Sequence, residues 1–212
     1  MMKKALAAMA LAGVAMTAQA AVQFGQGFDN VDTLAAQGWL RINASSPAGG
    51  TNWYQGDASV FTAQAGALGD SYIAANYNNS VAGGTISNWL ISPVFDISKD
   101  GSVSFWLRGI DEAPYSDQVA FGFSDGSGAP GDFAMSDAIT VPTDGWTQYT
   151  IFYNTGAAGS TARFAIQYTG AADSSDYLGV DTFAVNVPEP TSALLFAVGA
   201  LGLGAIRRRQ RG

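Results

Sequence analysis

Three stretches of the chain alternate apolar side chains with small or polar ones at a period of two. Val103, Phe105 and Leu107 alternate with Ser102, Ser104 and Arg108; Val119, Phe121 and Phe123 with Ala120, Gly122 and Ser124; Phe164, Ile166 and Tyr168 repeat the pattern. Successive side chains of a strand point to opposite faces, so each run specifies a sheet with one face in a core. Further strands are predicted over Trp39–Asn43, Thr51–Tyr54, Ser59–Thr62, Tyr72–Tyr77, Trp89–Ile91, Trp146–Tyr153 and Tyr177–Val187. Turn-forming segments separate them, among them Pro47-Ala48-Gly49-Gly50, Asp125-Gly126-Ser127-Gly128 and Thr155-Gly156-Ala157-Ala158-Gly159. No amphipathic helix and no repeat of a solenoid or propeller interrupts the series. The expected fold is all-β, a jelly-roll β-sandwich. Pro93 should mark the end of a strand, because proline is tolerated there or at a bulge, and Trp89 should lie in or near the core.

The two ends read as processing segments. Met1 to Ala20 has Lys3 and Lys4, an apolar centre from Ala5 to Met16, and Ala18-Gln19-Ala20, the three parts of a secretory signal peptide. At the other end, Val-Pro-Glu-Pro at 187–190 precedes an uncharged span, 191–206, and then Arg207, Arg208, Arg209 and Arg211. Sixteen residues make a helix of about 24 Å, a short transmembrane helix. The arginines would stay cytoplasmic and the domain would lie outside. Pro188 and Pro190 keep a helix from running back into the domain. The expected organisation is a signal peptide over 1–20, a β-sandwich domain over 21–187 and a sorting segment over 188–212. Pro188, Glu189 and Pro190, the span and the arginine cluster together resemble the PEP-CTERM sorting signal of Gram-negative bacteria, read by an exosortase. That resemblance implies export by the Sec machinery, transient anchoring in the membrane and release to the cell surface or matrix. An ordinary tail anchor is the alternative.

Charge and two absences narrow the chemistry. Between Asp29 and Glu189 lie all seventeen acidic residues and only four basic ones, Arg41, Lys99, Arg108 and Arg163, a net −13 against −7 for the whole chain. Such a surface repels nucleic acid and anionic lipid and favours cations. The chain has no cysteine, so an exported domain is held by its core or by a metal, without disulfides. It has no histidine, which removes Ser-His-Asp and Cys-His catalysis and the common zinc-hydrolase ligand sets. Paired-carboxylate glycoside hydrolysis survives as the one ordinary catalytic class.

The run from Ser87 to Ile97, Ser-Asn-Trp-Leu-Ile-Ser-Pro-Val-Phe-Asp-Ile, joins Phe28-Asp29, Gly38-Trp39, the stretch from Asp117 to Gly126, and Gly179-Val180-Asp181. Together they resemble the choice-of-anchor J family, a jelly roll similar to cleaved-adhesin and MAM-type domains. The resemblance implies a surface or secreted module without one shared activity. Here Asp29 stands where an acidic Glu is usual, and the acid pair of the last strand is reduced to Asp181 followed by Thr182. Similar domains hold a structural calcium near their first and last strands, and Asp29 and Asp181 are the matching positions. The alternative is that Asp29 caps a turn and Asp181 is a solvated strand residue. Other acids, Asp111, Glu112, Asp117, Asp125, Asp132, Asp173 and Asp176, fall in turn-like segments without EF-hand spacing.

Trp53, Tyr54, Trp106, Tyr115 and Tyr149 are the aromatics that could offer a face to a sugar. Trp106 is out of phase with Val103, Phe105 and Leu107 and so is predicted on the opposite face of its strand, the first candidate for a glycan contact. Three readings follow: a non-catalytic surface protein associated with extracellular polysaccharide or biofilm, a carbohydrate-binding module with a defined glycan, and a glycosidase with two carboxylates.

Overall fold

The computed structural model describes residues 20–188 apart from residue 158, and within them 21–187 form one compact unit. Residues 1–19 of the predicted signal peptide, the span 191–206, Glu189, Pro190, Arg207, Arg208 and Arg209 lie outside the described residues, while Ala20 opens the first strand. Among those described, no helix is long and apolar enough to cross a membrane. Helical structure there consists of short 3-10 turns such as Val31–Thr33, Tyr77–Asn79 and Ala172–Ser174.

Fourteen strands follow in order: β1 Ala20–Gln26, β2 Leu40–Asn43, β3 Ser46–Ala48, β4 Tyr54–Gln55, β5 Ile73–Asn76, β6 Ser80–Ile91, β7 Phe95–Asp96, β8 Gly101–Gly109, β9 Gln118–Ser124, β10 Ala134–Met135, β11 Ile139–Thr140, β12 Thr147–Tyr153, β13 Thr161–Ala171 and β14 Tyr177–Pro188. They form two sheets. One runs β12-β8-β14-β5-β4 with β1 also on β14; the other runs β10-β9-β13-β6-β2, with β11 on β9, β3 on β6 and β7 on β13.

The three alternating runs are β8, β9 and β13, and their apolar rows meet between the sheets. Val103, Phe105, Leu107, Val119, Phe121, Phe164, Ile166 and Tyr168 all belong to the main core. Aromatic rings dominate it: Phe164 lies 4.9 Å from Phe123 and 5.7 Å from Phe105, and Trp39 lies 5.0 Å from Phe183 and 5.1 Å from Phe28. Trp89 is buried in a smaller cluster with Ile91, Phe133 and Ala165. The strand carrying it ends at Ile91, two residues before Pro93.

In β14 the inward positions are Leu178 and Val180, then Phe183 and Val185. Period two breaks between the pairs, and the register with β8 shifts between Asp181 and Ala184. A bulge adds a residue and restores the phase, so that both halves of the strand face the core. Thr182 bears the irregularity at φ 45°, in the left-handed region that β-branched residues avoid.

One expected strand and one expected turn differ. Ser59–Thr62 is a loop, because Asp57 draws it into a turn: Ser59 N donates to Asp57 Oδ1 and Val60 N to Asp57 O. Its apolar pattern is satisfied by Phe61, which packs on the outer face of the first sheet against Tyr72 and Tyr177. Gly179 makes room there, since a Cβ would sit 2.6 Å from the Tyr72 ring. The Pro47-to-Gly50 turn begins as strand, with β3 paired to β6.

Truncating the central ring tests this core. Phe164→Ala should cost about 3–5 kcal/mol in denaturant unfolding, whereas Phe152→Ser, at a side chain 79% exposed, should change stability by less than about 0.5 kcal/mol.

Candidate functional site

A groove of about 580 Å³ lies where four connecting segments converge. Its walls are Gly49 and Gly50 after β3, the turn and strand start around Tyr77, Asn78, Ser80 and Val81, Tyr115 in the loop between β8 and β9, and Asp173 and Asp176 around the turn before β14. Backbone hydrogen bonds knit these segments together. Tyr77 N donates to Asp176 O at 2.9 Å, Ser116 N to Ser174 O at 2.8 Å, Thr51 N to Asn78 O at 3.2 Å and Gly49 N to Asn79 O at 2.9 Å. Gly49 is needed for that approach, because a Cβ would meet Asn78 O at 2.1 Å. Asp173 Oδ1 accepts from Gly83 N at 2.8 Å, joining the last turn to β6.

Asp117, at the entry to β9, anchors the wall from beneath. Its Oδ1 accepts from the Tyr168 hydroxyl and from Asp176 N at 2.8 Å, and its Oδ2 from Tyr177 N at 3.2 Å. Burial pushes its carboxyl above the usual range, against the lowering effect of those three donors. Asp176 is raised as well, first by burial and then by the charges of Asp117 and Glu112. Inside the groove Tyr77 is 46% exposed, Tyr115 45% and Val81 43%. Large apolar side chains this exposed, gathered in one concavity with polar neighbours, suit a ligand with both flat apolar faces and hydroxyls.

Of the five aromatics singled out in the sequence, only Tyr115 lines this groove. Trp53 is 1% exposed and packs in the core, while Tyr149 is half-buried against Phe105. Tyr54 packs beside Tyr177. Trp106 is half-exposed on the outer face of β8, across from Gln148 and Asp181. Tyr77 was legible only as a strand end, since nothing local marks the 3-10 turn that swings it outward.

Asp29 and Asp181 hold one loop at two points. Asp29 Oδ1 accepts from Ser71 N at 3.1 Å; Asp181 Oδ2 accepts from Gln64 N at 2.8 Å and its Oδ1 from Thr182 N at 2.6 Å. Asp29 is exposed, but Asp181 is 0% exposed rather than solvated. Burial pushes the Asp181 carboxyl up to about 6, the Gln64 and Thr182 N–H groups oppose the rise, and Asp70 adds to it. Among the described residues no three acidic side chains gather at one point. The partners of both carboxylates are N–H donors, joined at Asp181 Oδ1 by the Thr182 hydroxyl at 3.3 Å, and such donors stabilise the anion from the protein side.

A folded pKa above the unfolded value of 3.8 means that Asp181 contributes stability below about pH 4, and that this contribution disappears as pH rises through about 6. Unfolding free energy should therefore fall between pH 4 and 7 by about 1–2 kcal/mol more in the wild type than in Asp181→Asn. The same melts repeated with EDTA test a shared calcium at Asp29 and Asp181: a loss of several degrees would reveal it, and an unchanged Tm would rule it out.

Residues 186–209 match the family model described as the PEP-CTERM protein-sorting motif. No curated protein matches the sequence. The fold is similar to cleaved adhesin domains of Lys-gingipain from Porphyromonas gingivalis. The K1 domain is 19% identical with a TM-score of 0.57, covering 77% of this chain and 97% of that domain. The K3 domain is 17% identical with a TM-score of 0.56, covering 78% and 99%. At these identities the likeness is one of fold: the chain is a jelly-roll-like β-sandwich that carries a PEP-CTERM sorting motif at its end.

Proposed function

We propose that the protein is an exported, exosortase-sorted surface or matrix protein that holds extracellular polysaccharide without cleaving it, in the groove between Tyr77 and Tyr115. The observation that carries this reading is the groove itself. Two half-exposed tyrosines face a concavity whose walls are already fixed by backbone hydrogen bonds, so little ordering would be needed on binding. The sorting motif supports the destination, with the Sec machinery and an exosortase as processing partners and the anchor as a transient stage before the cell surface. A single groove of this kind also accommodates the narrower reading, a carbohydrate-binding module for one glycan. Trp106 on the outer sheet face would be a secondary contact.

Hydrolysis is the second reading, and Asp176 favours it. Its carboxyl is raised by burial and by acidic neighbours, as a general acid requires, and Asp173 lines the same groove. Release of new reducing ends from matrix polysaccharide, abolished in Asp176→Asn, would select it.

Retention on polysaccharide extracted from the native cells tests the groove that both readings share. The double variant Tyr77→Ala/Tyr115→Ala should bind about tenfold or more weakly, with a Tm within about 2 °C of wild type. Undiminished retention would overturn the assignment of the groove.

A further inference from the structure

The groove is acidic on a wall where a glycan would lie, and no base lines it. Asp173 and Asp176 are lining residues, Asp117 and Glu112 stand close enough to Asp176 to raise its pKa, and none of the described lining residues is lysine or arginine. The four basic residues of the domain are placed elsewhere. Arg41 donates to Trp53 O, Arg108 lies over the Phe61 ring at 4.6 Å, Arg163 donates to Gly38 O and Ser92 O, and Lys99 lines a separate hollow with Val22 and Val187. Among the described residues no hydrogen bond reaches the Asp176 carboxylate, so its charge is available to a ligand.

We infer that the groove selects glycans bearing free amino groups, the chemistry of a partly de-N-acetylated hexosamine polymer, over neutral and acidic glycans. The inference rests on the reading of the groove as a polysaccharide site. An ammonium group is attracted to carboxylates and also to the faces of tyrosine rings, and Tyr77 and Tyr115 share the cavity with both acids. Uronates, sulfates and phosphates would meet like charge with no cation to offset it. The cavity is in the size range of sites that enclose a multi-ring ligand, which a single lysine side chain would leave unfilled. Two half-exposed tyrosines in the lining suit a sugar ring, while the carboxylates take the amine beside it.

The full-length protein, purified in mild detergent, can be titrated with hexamers of glucosamine, N-acetylglucosamine and galacturonic acid, and with a hexalysine peptide. The glucosamine hexamer should bind about tenfold more tightly than its N-acetylated counterpart at low salt, and the margin should shrink as salt rises. Asp176→Asn should remove most of that margin, weakening the glucosamine hexamer far more than the N-acetylated one. Equal or tighter binding of the N-acetylated or galacturonic hexamer overturns the amine preference and leaves the polysaccharide reading standing. Failure of all three sugars overturns both. Tighter binding of hexalysine than of the glucosamine hexamer overturns the choice of a glycan, and a preference untouched by Asp176→Asn overturns the placing of the amine.

Discussion

The domain depends on its last strand facing one core along its whole length. Leu178 and Val180 point inward, and so do Phe183 and Val185, although their spacing is one residue out of step. The shift between Asp181 and Ala184 reconciles the two halves. That strand pairs with β8, β5 and β1, so an uncorrected phase would turn Phe183 and Val185 outward and strip two partners from the aromatic core. In a chain without cysteine, no disulfide makes up for such a loss.

The bulge also explains why Asp181 is buried. The irregular strand leaves backbone N–H groups needing acceptors, and the Asp181 carboxylate takes both that of Thr182 and that of Gln64 in the covering loop. Asp117 does the equivalent where β14 begins, accepting from Asp176 N and Tyr177 N. Two buried carboxylates thus serve one strand, at its bulge and at its start. The first closes a loop over the outer face, and the second shapes the groove wall that presents Asp173 and Asp176 beside Tyr77 and Tyr115. The groove lies at the Asp117 end, where the connecting segments stay open and Tyr77 and Tyr115 remain half-exposed.

Much of this was legible in the sequence, and the losses have physical causes. The rows of β8, β9 and β13 were read correctly because a strict period of two survives in each. Ser59–Thr62 looked the same but became a loop, since Phe61 could bury itself on an outer sheet face that sequence pattern does not reveal. Trp53, one of the aromatics that could have met a sugar, is core, because short segments carry no period from which to infer a side. Asp29 and Asp181 were read as a pair near the first and last strands; that each answers a backbone N–H of one loop required the bulge and the loop path. Tyr115 was among the exposed candidates, but its partner Tyr77 needed the fold, which brings together residues from four separate segments.

The central claim is that the groove between Tyr77 and Tyr115 is the surface that meets glycan. Backbone NMR of the isotopically labelled protein during titration with a glucosamine hexamer tests it most directly. The account predicts that shift changes cluster at Gly49, Tyr77, Asn78, Tyr115, Asp173 and Asp176, with the outer face around Trp106 little affected. Saturable changes centred on Trp106, Gln148 and the outer face of β8, with the groove silent, would contradict it.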